Sequence, residues 1–394
     1  MTDERRTVRL VDEAVDGRWQ ASWEHASPSA PARWSAAKRT LHGGRRDGVE
    51  VVELAAGALR CVVVPTRGMA LWKAWVGDVE LGWQAPAGGP VHPRFVPLAE
   101  PGGFGWLDGF DELLCRCGLG SNGAPEWDER GRLLHGLHGR IGNLPAQRLA
   151  LDLESSGGGA LALHGTVDEV RLFGRKVRLE STTRISFDAP RIEVTDTVRN
   201  LSGEPTTIEL LYHVNFGAPL AVAGARLRAP VRELCPRDAR AVAHAAEWSA
   251  LGAAAAGRPE EVFFAQLHAD DAGWTRALLE APAAERGVTL AWDASALPCF
   301  SLWKNPQLPA DGCVTGLEPA TNFPNVRSFE ERHRRVVALA PAGGAGDARR
   351  FALALEFHGD AAAVAQARAA VEALQRKGAA RCHAAPRADW SPDR

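Results

Sequence analysis

The chain has 394 residues, 45% apolar and 24% charged, a balance that supports a buried core and excludes a disordered chain. Forty-six basic against 48 acidic side chains leave a net charge of −2, so there is no basic field for nucleic acid or an anionic membrane surface. No apolar run approaches the ~20 residues of a membrane span. The opening Met1-Thr2-Asp3-Glu4-Arg5-Arg6 lacks the apolar core of a secretory signal, and the seven cysteines, an odd number, read as reduced thiols of a cytoplasmic protein.

Residues 1–35 are polar, with Pro28 and Pro31, and read as an N-terminal arm. From Val49 the texture becomes strand, turn, strand: Val49–Leu54, Leu59–Pro65 and Ala70–Val76, with Gly57 and Gly68 in the breaks. A segment rich in Gly, Pro, His, Asp and Asn follows over Ala85–Asn143, and long loops inside β-rich proteins are where function concentrates. Strand texture returns at Leu149–Glu154, Ala160–Val167, Val177–Phe187, Arg191–Asn200, Thr206–Gly217, Val262–His268, Gly287–Asp293, Cys299–Lys304, Arg334–Ala340 and Arg350–Phe357. None is followed by the helical crossover of a parallel sheet, so the fold class is all-β and mainly antiparallel, over residues 36–358. Ala239–Gly257 is Ala-rich and reads as a second helix or an irregular excursion. The clear helix is Asp360–Lys377, capped by Asp360 and followed by Gly378, inside a terminal unit 359–394.

The aromatic set is unusual: 13 Trp, 13 Phe and a single Tyr, Tyr212. High Ala, Arg and Gly with one Tyr is the mark of a GC-rich bacterial genome, but codon bias does not explain the tryptophans. Most should pack in the core. Trp106, Trp303 and Trp127 lie near the segments singled out next, where a flat indole could stack on the C–H face of a sugar.

Four clusters carry candidate chemistry. Gly102–Glu112 alternates aromatic and acidic residues, Trp106, Asp108, Phe110 and Asp111, and reads equally as a turn with capping Asp residues. His135-Gly136-Leu137-His138-Gly139-Arg140 places two histidines three apart. Its glycines disfavour a helical metal site, and a polar loop offering His138 and Arg140 to hydroxyl groups fits better. In Thr206–Gly217, period-2 alternation puts Leu210, Tyr212 and Val214 on one face, in the core. His213 and Asn215 fall on the other face, and His is the side chain best suited to proton transfer near neutral pH. In Thr315–Asn325, Glu318 precedes Pro319, which holds it extended at a rigid strand end before an irregular loop, as a general base requires.

Together these segments resemble the galactose mutarotase-like superfamily, and more closely its bacterial aldose 1-epimerase family branch. The carrying residues are Pro65–Met69, Gly102–Asp111, Gly118–Pro125, His138–Pro145, Leu211–Gly217, Trp303–Asn305 and Gly316–Asn325. The resemblance implies a β-supersandwich with few helices and a sugar cleft on one sheet. It implies Glu318 as general base on the anomeric hydroxyl and His213 as general acid on the ring oxygen, with no metal or organic cofactor. His138, Arg140, Asp111, Asn215, Asn322, Lys304, Trp303 and Arg67 would bind substrate. The expected function is anomer interconversion on a small-molecule carbohydrate, including modified or keto-sugars, by a protein for which a homodimer is compatible. Two other classes stay open: a non-catalytic carbohydrate-binding module on the same fold, and a metal-dependent sugar isomerase or lyase using His135, His138 and His92.

Overall fold

The computed structural model describes residues 6–12, 23–27, 34–154 and 158–392. Pro28 and Pro31 of the expected arm lie outside the described residues. Two sheets face each other. The first has nine strands, in the order Arg6–Asp12, Arg148–Glu154, Ala160–Val170, Lys176–Ser186, Arg191–Asn200, Ala348–His358, Gly287–Asp293, Trp274–Glu280 and Arg226–Arg228, each pairing antiparallel. The second has fourteen strands. Its centre runs Ala70–Val76, Leu114–Leu119, Thr206–Phe216, Val314–Ala320, Cys299–Asn305, Glu261–Leu267 and Val231–Pro236, again antiparallel. Arg381–Cys382 adds a parallel strand at its edge. The segment read as an arm supplies strands to both sheets: Arg6–Asp12 pairs with Arg148–Glu154, and Trp23–Ser27 pairs with Trp34–Thr40.

The alternation of Arg191–Asn200 buries every second residue, the pattern of a sheet with one face on a core and one toward solvent. Leu114–Leu119 and Val314–Ala320 are instead buried at every position. The centre of the second sheet therefore has two covered faces. Its inner face, with Leu210, Tyr212, Val214, Phe263, Leu302 and Leu317, packs against Leu163, Leu179, Val194, Leu290 and Leu353 of the first sheet. Its outer face carries Cys115, Cys117, Leu211 and Val314, roofed by Trp83, Trp106 and Phe110 from the Ala85–Asn143 segment and its approach.

Helices are few. Ala361–Gln375 is capped by the Asp360 carboxylate, which accepts from the Ala363 N–H at 2.8 Å, and buries Val364 and Val371 against Leu278. Gly378 is not a left-handed cap; a side chain there would meet His268 at 2.9 Å. Ala239–Gly257 yields only the short helix Ala239–Ala243 and a 3-10 turn, Ala245–Glu247, before irregular chain. A further short helix spans Arg327–Arg332. Among the described residues, no helix is long and apolar enough to cross a membrane, and all seven cysteines are free thiols.

Candidate active site

The Thr206–Phe216 strand sends His213 and Asn215 to the outer face of the second sheet, as period-2 alternation requires. Its neighbour Val314–Ala320 sends Glu318 to the same face. The ladder between these strands pairs Val214 with Leu317 and then Leu211 with Ala320, and is open between those two pairs. Pro319 lies in that gap, and proline has no N–H to give. Glu318 thus stands two residues before the end of its strand, ahead of irregular chain. His213 and Glu318 meet where the ladder is open: His213 Nε2 stands 3.2 Å from Glu318 Oε1. Gly316 makes the room, since a Cβ there would come within 2.7 Å of Glu318 Oε1 and 3.0 Å of His213 Cε1.

Asn215, directly behind His213, sets its tautomer. Asn215 Nδ2 donates to the Glu112 and His213 carbonyls, at 2.9 and 3.0 Å. Its Oδ1 therefore faces His213 Nδ1, at 2.6 Å, and accepts from it. With Nδ1 protonated, a neutral His213 presents a bare Nε2 to Glu318. Burial pushes the Glu318 carboxyl up to about 8, with the Glu260 charge adding to it. Burial and the nearby His138 push His213 down to about 3. Both groups are nearly inaccessible, at 3% and 4% exposure, so burial favours the neutral carboxyl and the neutral imidazole over an ion pair.

Rings enclose the pair. His213 lies edge-on to Phe110 at 5.0 Å, Trp303 at 5.3 Å and His138 at 5.5 Å between ring centroids, with Trp106 at 6.1 Å. The Trp303 N–H donates to Glu260 Oε2 at 2.7 Å, and Arg237 Nη2 meets Glu260 Oε1 at 2.8 Å. Burial raises Glu260, but the Arg237 charge and both hydrogen bonds outweigh it, so this carboxylate stays ionised below its ordinary range. His138 Nδ1 lies 2.7 Å from the Asn122 carbonyl and donates to it, which leaves Nε2 as an acceptor. Burial brings its pKa to about 4. The backbone there is left-handed, φ 56 at His138 and 70 at Gly139. A Cβ at Gly139 would strike the Gly118 and Ser121 carbonyls at 2.2 and 2.4 Å, so the turn requires glycine. A non-glycine residue held at positive φ beside an active cluster is a common form of local strain. Ser301 sits opposite Glu318 in register, with a buried hydroxyl that has no partner among the described residues.

A family model, the domain of unknown function DUF4432, matches residues 46–357. The chain belongs to the DUF4432 family. Among solved structures, a "putative aldose 1-epimerase" from Klebsiella pneumoniae is 27% identical, with a TM-score of 0.92, over 96% of this chain and 98% of its own. A galactose mutarotase-like protein from Clostridium acetobutylicum is 14% identical, with a TM-score of 0.54, over 86% of this chain and 99% of its own. A galactose mutarotase related enzyme from Lactobacillus acidophilus is 13% identical, with a TM-score of 0.51, over 78% and 97%. The fold is the galactose mutarotase-like supersandwich. No curated protein matches the sequence.

In this DUF4432 chain the structure brings His213, Glu318, His138 and Trp303 together, with Asn215 behind His213. It places seven other candidates elsewhere. Arg67 is buried, ion-paired with Glu112, and donates to the Val91 carbonyl and to Asn143 Oδ1, so it fastens the roof to the sheet. Asp111 accepts from the Trp72 N–H at 2.7 Å, and burial raises it to about 6. Asn322 exchanges amide hydrogen bonds with Asn122 at 2.9 and 3.0 Å. Lys304 points to the inner face, beside Glu261 at 3.1 Å. Arg140 is exposed, and among the described residues no hydrogen bond or ion pair ties its side chain to the pair. Trp127, exposed at 45%, stands on a separate two-stranded hairpin. His92 accepts from the Arg94 N–H at a turn start, and no cluster of three or more His, Cys, Asp or Glu is arranged for a metal among the described residues.

Glu260, Arg237, Ser301 and Asn122 are not among the residues that the sequence singles out. The first three reach the site only through pairing of Glu261–Leu267 and Cys299–Asn305 with distant strands. Ser301 carried a usable signal: it stands two residues before Trp303, on the same strand face.

Proposed function

We propose that this protein is a carbohydrate isomerase of the aldose 1-epimerase type, interconverting sugar anomers through Glu318 and His213. The observation that carries the reading is the buried His213–Glu318 contact at 3.2 Å, enclosed by aromatic side chains. Mutarotation needs one proton given to the ring oxygen and one taken from the anomeric hydroxyl, and the pair supplies both roles. With the proton on Glu318, the carboxyl protonates the ring oxygen while His213 Nε2 removes the C1–OH proton. The bond from C1 to the ring oxygen breaks and the C1 carbonyl forms. Rotation about C1–C2 presents the other carbonyl face. On closure, Glu318 takes back the hydroxyl proton and His213 returns its own to the C1 oxygen, so the pair ends as it began.

This reverses the roles expected from the resemblance, where Glu318 is the base. The two assignments carry the same number of protons, and the burial of both groups favours a protonated Glu318 over a protonated His213. Trp106, Phe110 and Trp303 offer apolar faces to the C–H side of a pyranose. The half-buried residues around the pair are His138, Trp303, Arg237 and Glu260, so a sugar would approach from their side.

The test is anomeric exchange followed by NMR on a panel of aldoses, keto-sugars and sugar acids, with wild type, His213→Asn and Glu318→Gln. The proposal expects at least one sugar to exchange faster with wild type and both variants to lose that acceleration. Variants as fast as wild type on that sugar would end it. Saturable binding without turnover on any sugar would point to a carbohydrate-binding module.

A further inference from the structure

Strand alternation gives the Glu261–Leu267 and Cys299–Asn305 strands a second set of charged groups, behind the catalytic face. Glu260 and Trp303 face the pair; their neighbours Glu261 and Lys304 face the opposite way, into the space between the sheets. There, beside the Arg226–Arg228 edge strand, a cavity of about 740 Å³ opens. Small-molecule sites commonly enclose roughly 300–1,000 Å³ with an apolar wall and a few convergent polar groups. The wall here includes Ala221, Val222 and Leu251.

The polar groups are unevenly matched. Glu261, 3% exposed, is the hub: its Oε2 meets Lys304 Nζ at 3.1 Å, and its Oε1 meets Arg258 Nη2 and His244 Nδ1, each at 3.2 Å. Lys304, 6% exposed, gives a second proton to the Ala250 carbonyl at 3.3 Å, and an ammonium carries three. Arg226 lines the cavity as a third permanent cation, against Glu247 as the second carboxylate. Three cations and two carboxylates thus line the cavity, and one of those carboxylates is already divided among three basic groups.

We infer that this cavity is a second ligand site, back to back with the catalytic one, for a compact anion: a carboxylate or phosphate monoester on a small apolar body. The anionic head meets Lys304 and Arg258, with Arg226 at the exposed rim, and the body lies on the wall of Ala221, Val222 and Leu251. Burial depresses the Lys304 pKa, against the opposing pull of Glu261.

Three probes with one body separate the possibilities: benzoate, phenyl phosphate and neutral benzyl alcohol, titrated into the full-length protein by calorimetry. At least one anion should bind at a single site, with benzyl alcohol at least tenfold weaker. The better of the two anions identifies the head group. Arg226→Glu and Lys304→Met should each weaken that anion at least tenfold, and His213→Asn should leave it unchanged. Arg226 is exposed, so Arg226→Glu reads the site even where Lys304→Met fails to fold. Absence of anion binding at millimolar concentration, equal binding of benzyl alcohol, or affinity unmoved by Arg226→Glu would each overturn the inference. Loss of binding in His213→Asn with none in Arg226→Glu would also overturn it, by placing the anion in the cleft.

Discussion

Tyr212 and His213 are neighbours in one strand, and each sits in a buried polar cluster, on opposite faces of the sheet. On the inner face, Arg116 grips Asp196 with two nitrogens, at 2.5 and 3.0 Å. The same guanidinium also donates to Ser181 Oγ and the Met69 carbonyl, and the Tyr212 hydroxyl donates to Asp196 Oδ2 at 2.8 Å. Every charge there is paired and every donor directed. On the outer face, the cation near His213 and Glu318, Arg237, is paired with Glu260, and burial drives both groups toward their neutral forms. Equal burial therefore yields opposite results. A fully satisfied ion pair fixes structure, whereas a pair deprived of compensation keeps a proton that can move.

The largest effects should separate the two faces. On the outer face, His213→Asn or Glu318→Gln should cost roughly 10²- to 10⁴-fold in anomeric exchange rate. Because the two share one proton, the double variant should lose little more than either single one. On the inner face, Asp196→Asn leaves Arg116 buried without its charge partner and should cost about 3–5 kcal/mol in urea unfolding. Comparable loss of stability in His213→Asn would break the contrast.

A pH series sharpens it next. Glu318 titrates near 4.5 when free and at about 8 when folded, so the folded chain keeps a proton that the unfolded chain releases. A raised pKa contributes stability below pH 4.5 that is lost as pH climbs toward 8. Glu318→Gln removes that loss, so at pH 8 it should be more stable than wild type by an amount on the order of a few kcal/mol, while inactive, with the gap closing toward pH 4.5. His213 works in the other direction: its depressed pKa costs stability as pH falls from 6.5 toward 3. Exchange activity should hold between those limits and fall above pH 8, as Glu318 ionises. Nitrogen NMR of labelled histidine should show His213 Nδ1 protonated and Nε2 bare at pH 7; a proton on Nε2 would restore His213 as the acid.

Most of the fold was legible because most strands bury one face and alternate cleanly, as Arg191–Asn200 does. The strands missed at Leu114–Leu119 and Val314–Ala320 are buried on both faces, so alternation is absent. In the second, only the extended setting of Glu318 before Pro319 is legible. In the site, the motifs located His213 and Glu318, but not the partners that tune them. Asn215 was read as a sugar contact, and it sets the His213 tautomer instead. For Lys304, the resemblance implies a substrate contact. The alternation that separates Tyr212 from His213 separates Lys304 from Trp303 as well, and sends it to the cavity behind. Glu260 and Arg237 have no local signature, since only long-range strand pairing brings them to Trp303.

The smallest expected effect tests the comparison most closely, because it acts one residue from His213. Tyr212→Phe keeps the ring in the core and removes only the hydroxyl. Burial holds that phenol well above its ordinary pKa, so it is a donor, not a base, across the accessible pH range. Its loss removes one of the bonds to Asp196, which Arg116 still pairs through both oxygens. A hydrogen bond to a charged group is worth about 1.5–3 kcal/mol, and urea unfolding should report a loss within that range. Anomeric exchange should stay within a few-fold of wild type, with an unshifted pH profile, because the side chain points away from Glu318. A drop in rate as large as that of His213→Asn would mean that the two faces communicate through the strand. The division between a structural and a reactive cluster would then fail at the residue where it is narrowest.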